Sequence, residues 1–375
     1  MTISTHKVEV VPVVLEKHPN ADSLSVVRVF GYTCLVRSQD WADVKTAAWI
    51  PPDSLVPVNR PEFAFLADKA KADGLARVRA KKLRGVVSYG LLVPAPPNTT
   101  LSDDVAEILG VTHYEPPSEF EGASKGGIFL KGDVASPPCV LAPKFDVDSF
   151  QRYPYLFKPG ESVLITEKLD GCNSRYVYSV RDGMYCGSRN EWKREYPNFD
   201  HVPKHLKDAG KTQDEIDSIM ATLESKSKRK NIWWDTLEKT PSLEKFCRNH
   251  PGLVVYGEIF GSVNHIKYGL PDGNRFCAFD ILKEGKWMDV LESWSVGISL
   301  PWVPIACSGT VPLSYSYSYD FDLVMSLAEG VSLVPGAKAG TIREGVVVKP
   351  IKERWDPVAG RICFKAVNPT YLEKY

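Results

Sequence analysis

ITEKLDGCNSRYVY, residues 165–178, carries two apolar, partly alternating runs that meet at Lys168-Leu169-Asp170-Gly171. Period-two alternation on both sides predicts two strands, and the glycine supplies a turn with no Cβ in the way of a ligand. A lysine at such a strand end, directly after Glu167, reads either as an ordinary surface ammonium or as a nucleophile. As a nucleophile it must be neutral, so burial or nearby cations would have to lower its pKa from about 10.4. Lys349 in EGVVVKP and Lys365 in GRICFKAVN stand on other strand-like runs and are the candidate cations. The same lysines would suit phosphate oxygens.

Glu258 in VVYGEIFG and Glu344 in REGVVVKP sit on valine-rich runs beside glycine. Each alone reads equally well as an edge residue. Two carboxylates facing a pocket that also holds lysines would suit Mg²⁺, which takes a few carboxylates together with phosphate and water. Phe279 in FCAFDIL offers a π-face to a purine, or is simply core.

Around this centre the chain divides. Residues 6–94 are valine-rich runs broken by HPNAD and PPDS turns, the pattern of a small barrel of about five strands with one helical connection. From 94 to 143 the sequence turns to Pro, Gly, Ser and acids, a linker containing one short helix at SDDVAEIL, capped by Ser102. From about Phe145 strand candidates alternate with helical stretches, and Arg181-Asp182-Gly183 marks a hairpin. The expected class is α+β, with domains at 1–95 and 145–375 and a linker at 96–144.

Composition narrows the function classes. The 375 residues balance 46 Lys and Arg against 46 Asp and Glu, which argues against a wholesale polyanion binder but leaves room for a local basic groove. The eight cysteines form no CxxC pair, so zinc ribbons and thioredoxin-like redox motifs are not expected. Neither a signal peptide nor a membrane-length apolar run is visible, so the expected place is intracellular. ARVRAKKLR (76–84) and SKSKRKNIWW (225–234) are the two basic stretches open to an RNA backbone or its bases, the second equally readable as a solvated loop.

EKLDG (167–171), SRN (188–190), YGEIFG (256–261), FCAFDI (276–281), REGVVVKP (343–350) and FKAVN (364–368) together resemble the six ordered motifs of the covalent nucleotidyltransferases, the superfamily of ATP-dependent ligases and mRNA capping enzymes. Only ten residues follow Lys365, so the barrel that follows the core in DNA ligases and capping enzymes is not expected here. The N-terminal candidate barrel, with EKHPNADSLSVVRV and KKLRGVVSYGLL, resembles the tRNA-binding type of oligonucleotide-binding (OB) fold. That order, and FDVDSFQRYPYLF before the core, resemble the Deinococcus-type RNA ligases. The resemblance implies an OB-fold barrel followed by a nucleotidyltransferase domain of antiparallel sheets flanked by helices.

It also implies roles. Lys168 would attack ATP and carry AMP, Glu167 would receive the adenine amino group, and Phe279 would stack on the base. Arg189 with Glu258 would hold the ribose and prepare the 5′-phosphate site. Glu344, Asp170 and Glu258 would face Mg²⁺ or Mn²⁺, while Lys349 and Lys365 clamp phosphate. The implied partner is a nicked duplex with an RNA 3′-OH strand, and a monomer with no membrane association is expected. One departure stands out: a second lysine two places after Lys365 is replaced by Val367, for which Arg361 is a candidate substitute. A GTP-dependent capping-type guanylyltransferase, a DNA ligase and an inactive RNA-binding module are the competing readings.

Overall fold

The computed structural model describes residues 7–114, 132–306 and 316–375; the glycine- and acid-rich part of the linker and Cys307 lie outside them. The class is α+β. The N-terminal part holds more and shorter strands than the valine runs suggest. Thr46–Ile50 lies between Glu9–Pro12 and Leu91–Pro94, while Leu24–Val29 pairs with Tyr32–Arg37 and Ser54–Pro57 with Leu75–Arg77. Strand Thr46–Ile50 feeds two apolar clusters, because successive side chains leave on opposite faces. Ala48 and Ile50 join Val10, Val56 and Phe63, whereas Ala47 and Trp49 join Val11, Val27 and Tyr32. The helical connection is a 3₁₀ run, Pro61–Lys69.

Ser102 is not a helix cap. The helix is Ala106–Leu109 with no side-chain cap, and Ser102 donates its backbone N–H to Val10 O. The barrel edge has taken that segment, with Asp104 Oδ1 accepting from both Val8 N and Ala106 N.

Seven strands frame the remainder: β1 (Ser162–Lys168), β2 (Gly171–Ser179), β3 (Gly183–Ser188), β4 (Val254–Phe260), β5 (Arg275–Lys283), β6 (Gly345–Pro350) and β7 (Phe364–Val367). β1 ends at Lys168 and β2 begins at Gly171, but the two enter different sheets. β1 pairs with β6, which pairs with β7, in a five-stranded sheet. β2 lies between β3 and β4, with β5 beyond, in a seven-stranded sheet. The predicted hairpin at Arg181-Asp182-Gly183 joins β2 to β3, with Gly183 at φ +89°.

Each sheet is covered on one face. Val163 and Ile165 of β1, with Val346 and Val348 of β6, pack under helix Phe321–Ala328. Tyr176, Val255, Ile259 and Phe276 pack against helices Ile232–Lys239 and Pro241–Asn249. Each such side chain, once fully buried, contributes about 1.5–3 kcal/mol. Strand alternation then turns Thr166 and Lys168 of one sheet, and Asn173 and Glu258 of the other, to the faces opposite these helices. A short connection, 142–149, crosses between the sheets. Ala142 and Pro143 accept from Arg175 and Tyr256, Phe145 packs on Phe279, and Asp148–Ser149 pairs in parallel with Phe364–Lys365.

The barrel meets the core at this crossing. Arg152 Nη2 bonds Glu9 Oε2 at 2.5 Å with both side chains largely buried, and Gly31 N donates to Gln151 O. All cysteines among the described residues are free thiols, and of them Cys139 is exposed. No helix of the described residues is long and apolar enough to cross a membrane.

Gly171 does a different job from the one its turn suggests. A Cβ there would lie 2.1 Å from Ile259 O and 3.1 Å from Glu258 Cγ, so the glycine lets β4 approach the first residue of β2. Gly171→Ala is expected to cost about 1–3 kcal/mol through overpacking, read as a lower denaturant midpoint at unchanged slope.

Candidate active site

Lys168 sits at the last position of β1, across from Gly345 of β6. Its ammonium bonds Glu344 Oε1 at 2.7 Å, and both side chains are mostly shielded from water. Glu344 immediately precedes β6, and its carbonyl accepts from Asn368 N after β7. Glu258 projects from β4 beside Asn173. Sheet pairing therefore fixes the carboxylates beside the lysine from two separate segments.

The electrostatics correct the sequence expectation. Burial alone would lower the Lys168 pKa, but Glu344, Glu258 and Asp170 outweigh it and hold the ammonium above the ordinary lysine range. Opposing lysines do not set it. Burial drives Glu258 up to about 8, helped by Glu344 and Asp170 and opposed by Lys168. Glu344 is likewise raised by burial, against the pull of Lys168.

Lys349 is not free for phosphate. Its ammonium is 7 % exposed and bonds Asp280 Oδ1 at 2.5 Å and Phe279 O at 3.1 Å. Arg361 fails as a substitute for the missing lysine for the same reason. It lies on a separate short strand, Gly360–Arg361, where its guanidinium bonds both Asp280 oxygens and Glu353, and stacks on Trp287 at 4.2 Å. Burial opposes the Asp280 charge, but Arg361 and Lys349 outweigh it and keep the carboxyl below its usual range. Lys365 of β7 carries no ion pair or side-chain hydrogen bond among the described residues, and it acts on Glu344 through space.

Three other positions are now placed. Glu167 is 1 % exposed: its Oε2 accepts from Leu333 N at 2.6 Å, while Oε1 is buried with no hydrogen-bond partner among the described residues. Burial raises its pKa against the hydrogen bonds from Ser332 and Leu333. Phe279 is half-buried, 4.5 Å from the ring of Phe145. Arg189 does not join Glu258; it pairs with Asp146 of the crossing segment at 2.5 Å, both well exposed.

Asp170 is fully engaged by the protein. Ile266 N donates to Oδ2, while Asn264 Nδ2 and the Tyr371 hydroxyl donate to Oδ1. Its own N–H donates to Tyr268 OH. It anchors the loop 261–268 more than it offers oxygens to a metal. Among the described residues, no group of three or more His, Cys, Asp or Glu forms a ready metal cage. Glu344 and Glu258 fit a metal that takes most of its ligands from phosphate and water.

Sequence reading missed Asp280, Tyr268, Tyr371 and Arg343. For Asp280 the signal was present: one charge inside the otherwise apolar FCAFDIL. Arg343, 4 % exposed, donates to Leu327 O and Val331 O and so holds the entry to Glu344. The basic stretches also changed meaning. Trp233 and Trp234 donate their indole N–H to Asn173 O and Lys193 O, so they are structural and not base platforms. Arg77 is taken by Asp53 and Arg79 by Tyr375 O, leaving Lys81 and Lys82 exposed.

An RNA ligase family model matches residues 161–367, and an OB-fold domain model matches residues 4–95. No curated protein matches the sequence. Among solved structures, a lysine mutant of Naegleria gruberi RNA ligase with ATP and Mn is similar at TM-score 0.70 and 21 % identity, over 98 % of each chain. A glutamate mutant of that ligase with AMP and Mn is similar at 0.71 and 21 %, over 99 % of each chain. The same ligase with pyrophosphate gives 0.69 and 22 %, also over 99 % of each. At this identity the likeness carries the fold.

Two outcomes follow from the charges. Asp280→Asn strips the buried Lys349 and Arg361 of their shared carboxylate and is expected to destabilise by about 3–5 kcal/mol in chemical denaturation. Glu258 has a folded pKa raised from 4.5 to about 8, so its contribution to stability is fully present below pH 4.5 and is lost as pH rises through about 8. Glu258→Gln should flatten that fall and leave the ligand-free protein more stable than wild type above pH 8, measured by denaturation across the window.

Proposed function

The chain belongs to the RNA ligase family, and from that premise we propose an ATP-dependent polynucleotide ligase that seals 3′-OH/5′-phosphate nicks whose 3′-OH strand is RNA, through an AMP carried on Lys168. The observation that carries this reading is Lys168 itself: a strand-end amine with Glu344 at 2.7 Å, Glu258 beside it and Lys365 within reach of Glu344 through space. The Oε1 of Glu167, buried with no partner among the described residues, would accept from the adenine amino group, at the position where guanine carries a carbonyl. The Naegleria ligase structures contain ATP, AMP, pyrophosphate and Mn, in keeping with the same substrate and metal class.

Neutral Lys168 Nζ attacks the α-phosphorus of ATP, forming an N–P bond as the bond to pyrophosphate breaks. A 5′-phosphate oxygen of the nicked strand then displaces the lysine, and the RNA 3′-OH displaces AMP to close the phosphodiester. Such in-line displacements need alignment and charge neutralisation more than acid–base groups. The obstacle in the ligand-free site is the Lys168 proton, which the carboxylates hold in place. Mg²⁺ or Mn²⁺ held by Glu344 and Glu258 would neutralise the phosphate oxygens. With those carboxylates drawn to a metal, the Lys168 pKa would fall toward the neutral amine, its proton passing to solvent, with Lys365 supplying further positive charge. Arg189 would exchange Asp146 for a phosphate of the incoming strand.

Labelled ATP should mark the wild-type protein, and Lys168→Ala should lose both the label and sealing, by at least about 10³-fold, since the nucleophile is gone. Label from GTP alone would assign the capping reading instead. Sealing of nicks with a DNA 3′-OH but not an RNA 3′-OH would assign the DNA ligase reading.

A further inference from the structure

The helix Pro369–Lys374 follows β7 directly and touches three parts of the molecule at once. At its start, Asn368 accepts from Thr370 N and donates to Arg343 O, and its backbone N–H donates to Glu344 O. One turn on, the Tyr371 hydroxyl donates to Asp170 Oδ1 at 3.2 Å and lies 3.3 Å from His265 Nδ1, while its ring packs among Leu169, Phe260 and Tyr268. Successive helix residues point about 100° apart, so Leu372 faces elsewhere. It packs into the barrel cluster of Val11, Trp49 and Leu92. Tyr375 O then accepts from Arg79 of the barrel at 3.0 Å.

We propose that Tyr371 is a positioning residue for the Lys168–Gly171 turn, and that the barrel sets its position through Leu372. The chain of contacts is continuous: barrel core to Leu372, Leu372 to Tyr371 through one peptide unit, Tyr371 to Asp170, and Asp170 two residues from the reacting amine. Asp170 lies on a two-residue connection between two different sheets, where the ladder holds neither Leu169 nor Asp170. Its rotation would swing the Lys168 backbone, and small misplacements of a nucleophile carry large rate penalties. The barrel thereby takes part in forming the covalent intermediate, beyond any contact it makes with nucleic acid.

This rests on the ligase reading, and the test separates the two. Single-turnover labelling with ATP is followed in wild type, Tyr371→Phe and Leu372→Ala, with melting temperatures as a control for folding. Tyr371→Phe keeps the ring and loses only the hydroxyl. It is expected to slow labelling about tenfold at saturating ATP with half-saturation unchanged, the size of a lost hydrogen bond to a charged group. Leu372→Ala should slow the same step although it lies outside the site, and sealing of a pre-adenylylated nick serves as a comparison. Wild-type rates in Tyr371→Phe would overturn the positioning role, and wild-type rates in Leu372→Ala would overturn the barrel's part in it. A shift in half-saturation with no change in the saturated rate would also overturn it. Absence of label in the wild type would instead remove the ligase reading.

Discussion

Everything at the site turns on one juxtaposition, a largely shielded ammonium and the carboxylates gathered around it. In the proposed chemistry Lys168 would have to be uncharged to attack, yet Glu344 lies at 2.7 Å and stabilises its proton. The fold accepts this because the same carboxylates compensate a charge that would otherwise be desolvated alone. A resting state locked by its own ion pair is unlocked when something more positive claims the carboxylates. Under the proposed function, chemistry would thus be tied to arrival of the metal–nucleotide complex, and a stray electrophile would meet only an ammonium.

The architecture supplies that juxtaposition by splitting a strand–turn–strand unit between two sheets. β1 and β2 are nearly contiguous in sequence but belong to different sheets, so the turn between them spans the cleft. Each sheet buries one face on helices; the other face of the seven-stranded sheet is covered in part by the segment around 135–145, and what remains faces the site. The crossing segment at 142–149 and the helix after β7 are the two further links between layers. The first carries the Arg152–Glu9 bond to the barrel just beyond it, and the second carries Tyr371.

Much of this was legible in the sequence. The strand-end lysine, Glu258 on β4, Glu344 at the start of β6 and Lys365 on β7 were readable because motif order and period-two patterning survive in one dimension. Partner choice was not. Nothing in EGVVVKP says that Lys349 bonds Asp280, since that contact depends on how the two sheets face each other. Likewise, Arg361 and Lys365 share the strand-like run GRICFKAVN, but the strand is interrupted between them at Ile362 and Cys363. Ser102 looked like a helix cap until the barrel edge claimed its backbone. The tryptophans of SKSKRKNIWW looked available until helix packing supplied carbonyls for their indoles. In each case a long-range contact overrode a sound local preference.

The sequestration of Lys349 and Arg361 changes the electrostatic standing of the cleft. Both cations are spent inside an ion cluster with Asp280 and Glu353. Lys168 and Lys365 then face Glu344 and Glu258, with Asp170 behind them. Acidic side chains around Lys168 and Lys365 offset their charge and leave these residues little surplus with which to attract a bare triphosphate. In the proposed reaction a nucleotide would therefore bring its own counter-charge, and occupancy would depend on the abundance of the metal complex more than on long-range attraction. Background salt, which screens steering forces, has little steering to screen on the nucleotide side.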